Sequence, residues 1–258
     1  GELETVERDR EDALGVTVYV GQRRGNARTS DFSEAAVQQT VQAAFDIARF
    51  TAEDPAAGLP DEKDIAPQAT HRDLDLFHPW LVDGQLLSSE QAAALALRCE
   101  EAALSMHKRI TNSEGASVSA QQSHFFSAHT RGFRGGYASS RHSLSVAPIA
   151  SLPARTAEMQ RDVWSSSERN AADLASPEAV GRYAAERALS RLGSRKIATT
   201  ECPVLFESTL AAGLLGSFVQ AVSGGALYRR STFLLDSLGK QIFPKHVQIE
   251  EDPFILGG

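Results

Sequence analysis

Cysteine is scarce in this chain of 258 residues, which contains only Cys99 and Cys202. Two cysteines cannot form the disulfide framework that stabilises many small secreted domains, and free thiols in a globular chain are typical of the cytoplasm. We therefore expect both thiols to be reduced and unpaired, and we expect the protein to be cytoplasmic.

An excess of positive charge is also absent. Lys and Arg together number 26 and Asp and Glu number 33, so the formal net charge is -7 at pH 7. Because nucleic-acid phosphates bind to locally positive surfaces, the composition argues against a nucleic-acid partner. Hydrophobic residues make up 42% of the chain and charged residues 23%, which excludes a wholly disordered or fibrous protein.

The compact catalytic motifs are missing as well. The sequence contains no HExxH or CxxC metal motif, no P-loop and no GxSxG nucleophile turn. Each of these motifs is contiguous and therefore hard to overlook. The 33 acidic residues include no pair that spacing alone would select for acid-base catalysis.

A strongly apolar run of membrane-spanning length is the last absence. Residues 210–227 carry no charge, but they include Gly213, Gly216, Gly224 and Gly225. A spanning helix needs about 20 strongly apolar residues. We predict a buried helix in this stretch and no membrane partner.

Periodicity predicts a mixture of helices and antiparallel strands. Apolar residues alternate from Leu14 to Val20, which predicts a strand, and Ser176 followed by Pro177 marks a helix start. The predicted elements are a hairpin over 14–30, helices over 33–50, 88–108, 176–192 and 208–222, a long hairpin with strands 116–130 and 137–150, and strands 204–206 and 241–249. Because they do not alternate strictly as βαβ units, the fold class is α+β, with helices packed on antiparallel sheets.

Two histidines are the nearest approach to a local metal site. If the turn of the long hairpin centres on Phe133, His124 and His142 lie opposite each other. Two imidazoles could bind zinc, but a tetrahedral site needs further ligands and spacing offers none. Two hydrogen-bonded histidines within the sheet are the simpler interpretation.

A glycine-rich, basic segment follows the predicted helix over 208–222. Flexible glycines at 224 and 225, together with Arg229 and Arg230, could bind an anionic group such as a peptide carboxylate. A helix stop followed by a solvated basic turn fits the same residues. The segment alone leaves both interpretations open.

Several stretches resemble the PmbA/TldD family, sometimes described as modulators of DNA gyrase, and in particular its PmbA (TldE) branch. The run Tyr228–Ile242 is the most specific of them. The others, in chain order, are Ala13–Tyr19, Ala43–Arg49 with Glu53–Pro55, Leu74–Pro79, Arg109–Gly115 and Arg141–Ser145. The resemblance extends over almost the whole chain. It implies a family-type α+β region over residues 1–200 and the start of a C-terminal domain over 201–258, with further sequence expected beyond both ends.

The resemblance also implies an activity. Family members form a TldD/TldE heterodimer that acts as a metalloprotease on flexible peptides, with links to peptide-antibiotic maturation and antitoxin degradation. In the TldD branch an HExxxH helix supplies two zinc-binding histidines and a glutamate that polarises water. Aligned on that helix, this chain has Glu207 and Ala212 at the histidine positions and Ser208 at the glutamate position.

The resemblance therefore predicts a PmbA-type subunit that carries no zinc and has no catalytic residue of its own. The expected partners are a TldD-type subunit that brings zinc, or a second copy of the chain, and a peptide substrate gripped by Arg229 and Arg230. One alternative is a non-proteolytic modulator of gyrase or of a toxin–antitoxin pair. Another is a homodimer with residual peptidase activity that uses other ligands.

Overall fold

The computed structural model describes residues 2–66, 73–152 and 158–258 of the chain. It divides into two compact units. Unit 1 comprises residues 1–193 with 254–258, and unit 2 comprises residues 194–253. His71 lies outside the described residues, and so do parts of the connections that surround positions 70 and 155.

Helices and strands alternate irregularly along the chain. The strands are β1 (Leu14–Val20), β2 (Arg23–Thr29), β3 (Leu81–Val82), β4 (Gln85–Leu86), β5 (Ile110–Ala128), β6 (Arg134–Ser151), β7 (Met159–Arg161) and β8 (Trp164–Glu168). The helices are α1 (Glu34–Phe50), α2 (Ser89–Ser105), α3 (Pro177–Ser190), α4 (Ser208–Ala221) and α5 (Gly224–Tyr228). Every strand pairing is antiparallel, which confirms the α+β prediction with antiparallel sheets and packed helices.

The first part of unit 1 is a β-hairpin covered by a helix. Strands β1 and β2 pair from Leu14 opposite Thr29 to Val20 opposite Arg23. Helix α1 packs against them through the fully buried Ala44 and Ala48. A methyl group at Gly25 would lie 2.0 Å from the carbonyl oxygen of Ala44. The missing side chain at Gly25 therefore allows β2 to approach the helix backbone.

The second part of unit 1 is a four-stranded sheet with two helices on one face. Strand β6 is central and pairs with β5 along one edge and with β7 and β8 along the other. Helices α2 and α3 pack on each other and on this sheet through small apolar side chains. The buried core consists of Cys99, Ala103, Ile110, Leu144, Val146, Ala150, Val180, Ala184, Ala185 and Ala188.

The long β5–β6 hairpin extends beyond the rest of its sheet. The pairing of β6 with β8 ends at His142 opposite Glu168, whereas β5 and β6 stay paired as far as Ala128 opposite Arg134. Residues 134–141 of β6 lie between His142 and the tip of the hairpin. Among the described strands they pair with β5 alone, so this part of the hairpin is a two-stranded ribbon. Residues 120–126 of β5 are all exposed, so both faces of this strand meet solvent.

Unit 2, which is described in full, contains helices α4 and α5 and no strand. The predicted strands over 204–206 and 241–249 are therefore wrong. A three-residue apolar run and an alternating tail form strands only where a neighbouring strand accepts their backbone hydrogen bonds, and this unit offers none. Among the described residues, no helix is long and apolar enough to cross a bilayer.

Candidate functional site

The start of α4 holds the three positions that the sequence compares with a zinc motif. Glu207 is the N-cap, and its carbonyl oxygen accepts from the backbone N–H groups of Leu210 and Ala211 at 2.9 and 2.8 Å. Ser208 is the first helical residue, and Ala212 lies exposed one turn later. The side chains available are thus a carboxylate, a hydroxyl and a methyl group.

Zinc coordination needs nitrogen, sulfur or oxygen donors from several side chains. Ala212 offers no donor atom at all. Throughout residues 2–66, 73–152 and 158–258, no group of three His, Cys, Asp or Glu residues is arranged to hold a metal ion. The residues at the start of α4 therefore do not fit a zinc site, while the absence of zinc from this chain stays a prediction.

Helix α4 is not the buried helix that its lack of charge predicts. Only Ala221 is buried, and Phe218 contacts Phe243 with ring centroids 5.0 Å apart. The exposed apolar side chains of this helix are Leu210, Leu214, Leu215 and Val219. The sequence prediction fails because it inferred burial from apolar character alone, whereas unit 2 supplies few side chains to cover this helix.

The segment after α4 is helical where flexibility was expected. Gly224 and Gly225 form the first turn of α5, and the Ser223 hydroxyl caps this turn by accepting from the backbone N–H of Ala226. The expected flexibility of the two glycines is therefore wrong, whereas the expected helix stop before them is observed, since α4 ends at Ala221. A serine N-cap supplies the helix-start signal, which outweighs the low helix propensity of two glycines.

Arg229 and Arg230 both follow this short helix and are exposed. Arg229 is its C-cap, and its guanidinium lies over Gly225, where an added methyl group would approach Nη1 to 3.3 Å. Arg230 has a φ of 55°, in the left-handed region. Among the described residues neither arginine forms an ion pair. The two guanidinium groups are therefore available to an anion.

The two candidate metal histidines do not face each other. In the observed register His124 lies opposite Ala138 and His142 lies opposite Ala120. The pairing is symmetric about Arg131 rather than Phe133, because the turn is closed by a hydrogen bond from the His129 N–H to the Phe133 carbonyl. Moving the turn centre by two residues places His142 four positions away from the residue opposite His124, so the paired-histidine hypothesis is wrong.

His142 instead belongs to a polar cluster that the sequence did not reveal. It is fully buried, its Nε2 lies 2.7 Å from the carbonyl oxygen of His78, and its ring meets Trp80 edge-on. The hydroxyl of Ser140 accepts from the His78 N–H and donates to the Arg169 carbonyl, each at 2.8 Å. These bonds join residues far apart in sequence, so no local pattern could have identified them.

The two thiols differ in chemistry. Both are free, as expected from their number. Cys99 is fully buried between α2 and α3, and burial raises the pKa of its thiol to about 12, with a further contribution from the negative charges of Glu178 and Glu100. A thiol of this kind stays protonated at neutral pH and is a poor nucleophile. Cys202 is exposed.

Comparison with known families covers almost the whole chain. Residues 1–48 match the PmbA/TldA metallopeptidase domain 1, residues 83–192 match the central domain of that family, and residues 199–258 match its C-terminal domain. Three models of one family thus occur in order along the sequence.

Individual relatives agree with these matches. Metalloprotease PmbA of Escherichia coli O157:H7 is 47% identical over 258 residues, covering 100% of this chain and 55% of the relative. A PmbA homolog of Haemophilus influenzae is 40% identical over 255 residues, covering 99% and 54%. The chain thus matches little more than half the length of either relative.

A solved structure shares the fold. The crystal structure of a Bacteroides thetaiotaomicron protein proposed as a modulator of DNA gyrase superposes with a TM-score of 0.77. The match covers 88% of this chain and 50% of that protein, at 24% identity. At this level of identity the likeness supports the fold assignment alone.

Proposed function

This chain belongs to the PmbA/TldD metallopeptidase family, and from that premise we propose that it is the PmbA-type subunit of a metalloprotease complex that cleaves peptides. The observation that carries the proposal is the 47% identity to a metalloprotease PmbA along the entire chain. The two free thiols suit a protein of the reducing cytoplasm.

We assign no zinc to this subunit. A catalytic zinc site takes about three protein ligands and keeps one position open for water. By resemblance Glu207 and Ala212 stand at the histidine positions, and Ala212 has no lone pair to offer. A serine at position 208 cannot replace a glutamate that polarises water, because its hydroxyl is a far weaker base. We expect the metal to come from a TldD-type partner.

The contribution of this chain is then to hold the peptide. Arg229 and Arg230 are exposed and have no acidic partner among the described residues, so either guanidinium can bind a peptide carboxylate. The apolar side chains on α4 lie earlier in the same unit and suit contacts with the apolar side chains of a peptide or of the partner subunit.

The experiment uses the full-length protein together with a TldD-type chain. Peptide cleavage is measured for each chain alone and for the mixture, with and without a chelator. We expect cleavage by the mixture, loss of cleavage with chelator, and no cleavage by this chain alone. Chelator-sensitive cleavage by this chain alone would favour the homodimer with its own ligands.

Arginine variants test the peptide-binding assignment. Arg229→Ala and Arg230→Ala should raise the KM of the mixture and leave its zinc content unchanged. Lys245→Ala, which removes another exposed cation of unit 2, serves as the matched control and should be neutral. Wild-type kinetics for the double arginine variant would refute this assignment. A complex that forms and binds gyrase or a toxin–antitoxin pair without any cleavage would favour the non-proteolytic modulator.

A further inference from the structure

One face of the sheet formed by β5, β6 and β8 is covered with small hydroxyl groups. The observed registers place two rows of serines side by side on this face: Ser117, Ser145 and Ser165, and then Ser119, Ser143 and Ser167. Neighbouring residues of a strand point to opposite faces. Because Leu144 and Val146 pack in the core with α2 and α3, the serine rows lie on the outer face of the sheet.

Arg141 continues this outer face beyond the serine rows. It is the only charged residue among the odd-numbered positions of 117–127, 135–147 and 165–167, which make up this face. Its Nε donates to the hydroxyl of Ser167 at 3.0 Å, and among the described residues its guanidinium forms no ion pair and no other hydrogen bond. One edge of the guanidinium is therefore held by the sheet, while both Nη groups are left for another acceptor.

Other arginines of unit 1 already have acceptors. Several form ion pairs with carboxylates: Arg23–Glu53, Arg98–Glu178, Arg131–Asp61 and Arg191–Asp162. Arg169, which would continue the register of β8 opposite Arg141, donates to the main-chain carbonyl oxygens of Gly257 and Gly258. Arg141 is thus an exposed cation without a neighbouring acid, in a chain whose formal net charge is -7. A local positive charge of this kind attracts an anion.

We propose that Arg141 and the polar side chains around it bind a carboxylate of a peptide, which names a second peptide contact and rests on the proposed function. The two Nη groups present parallel N–H donors that match the two oxygens of a carboxylate. Gln121 lies opposite Arg141, about 5 Å away between Cβ atoms, and Ser139 and Ser143 lie roughly 7 Å away along β6. None of these three side chains forms a hydrogen bond among the described residues, so each can add a donor.

The composition of this face favours a peptide over a subunit interface. The centre of a protein interface is enriched in aromatic residues and depleted in serine, whereas serine fills the rows beside Arg141. The aromatic pair of this face, Phe125 and Tyr137, lies two rows farther toward the tip of the hairpin. A serine hydroxyl both donates and accepts, so it can bond to the N–H or C=O groups of any peptide backbone. The serine rows then hold the backbone irrespective of sequence, and Arg141 selects for a negative charge.

The test measures the binding of labelled hexapeptides of Gly and Ser to the full-length protein by fluorescence anisotropy, without a partner chain and therefore without cleavage. The probes carry a free C-terminal carboxylate, a C-terminal amide, or a C-terminal amide with one internal Glu. Arg141→Gln should raise the Kd roughly fivefold for the probe whose carboxylate Arg141 binds, and less than about twofold for the uncharged amide. The two carboxylate probes distinguish a chain end from an acidic side chain. Because no cleavage is involved, this result stands or fails separately from the proposed peptidase function.

Two further variants separate a specific contact from a change of net charge. Arg24→Gln, which removes an exposed arginine of β2, is the matched control and should leave every Kd unchanged. Ser167→Ala frees the Nε of Arg141 and should raise the Kd of the carboxylate probe about twofold. Equal binding of carboxylate and amide probes by the wild type, an unchanged Kd in Arg141→Gln, or an equal loss in Arg24→Gln would overturn the proposal. Weaker binding of a TldD-type chain by Arg141→Gln, with unchanged binding of the probes, would assign Arg141 to a subunit contact instead.

Discussion

Gly181 offers a sharp test of how α2 and α3 pack. A methyl group added at Gly181 would lie 2.2 Å from the carbonyl oxygen of Cys99, 2.9 Å from the Cβ of Ala102 and 3.0 Å from the backbone nitrogen of Ala103. A backbone carbonyl cannot rotate out of the way as a long side chain can. In Gly181→Ala the helices must therefore separate by about 1 Å to restore ordinary contact.

Two opposing effects set the size of the change. Alanine favours the helix over glycine by about 1 kcal/mol. Overpacking a rigid core costs about 1–3 kcal/mol, and separating the helices also weakens the dispersion contacts of Val180 and Ala184, which are buried in the same core. We expect the steric effect to prevail and the free energy of unfolding to fall by about 1–2 kcal/mol.

Urea unfolding followed by tryptophan fluorescence measures this loss. Trp164 lies against Tyr183 of α3, with ring centroids 4.5 Å apart, so its emission reports on the position of this helix. Gly213→Ala in α4 is the matched control, since beyond the local helix backbone no atom lies within 4 Å of the added methyl group. This control should be neutral or slightly stabilising. A Gly181→Ala protein as stable as the wild type would refute the close-packing argument.

Three further predictions follow from particular side chains. Native protein at pH 8 should react with one equivalent of a thiol reagent, at Cys202. Cys99 should react only after unfolding, because burial raises the pKa of its thiol to about 12. Fast labelling of both thiols in the native protein would contradict the burial of Cys99. The pKa of Glu178 is lowered by the backbone N–H at the start of α3 and by Arg98, so the stability it provides is fully present above its ordinary value of 4.5 and disappears as the pH falls through the folded-state value. Arg98→Gln should therefore raise the pKa of the Glu178 carboxyl, measured by NMR titration. The same variant should lower the free energy of unfolding at pH 7 but not at pH 2. An unchanged titration of Glu178 would show that its ion pair with Arg98 has no effect. Gly25→Ala should destabilise the packing of α1 on β2 in thermal unfolding, whereas Gly15→Ala, with open space around it, should not.

Local signals predicted the elements whose cause is local. The serine N-cap and the proline at the start of α3, the alternation in β1, and the serine-rich alternation of the long hairpin all have the expected structural result. The register of that hairpin was four residues wrong, because the turn was placed at Phe133 rather than Arg131 and each residue of shift in the turn centre moves the opposite residue by two. A shift of this size moves every cross-strand pair, so the histidine pair derived from it was wrong as well.

Non-local contacts account for most of what was missed. Strands β7 and β8 are short and polar, and they exist because β6 provides a partner edge for them. The burial of α4 was overestimated, since burial depends on what lies opposite a helix and not on its composition. Arg229 and Arg230 were identified by their charge alone. Both are exposed after α5, and their role in binding a peptide stays a prediction.

The hydrogen bonds that hold the segment before β3 also constrain the order of folding. Residues 76 and 78 bond to Ser140 and His142 on β6, across separations of 62 to 64 residues. During synthesis this segment therefore leaves the ribosome well before its partners exist, and it has to wait until the β5–β6 hairpin has closed. In pulse-labelling hydrogen exchange the His78 amide should gain protection no earlier than the amides of β6, so the segment is among the first made and among the last to become ordered.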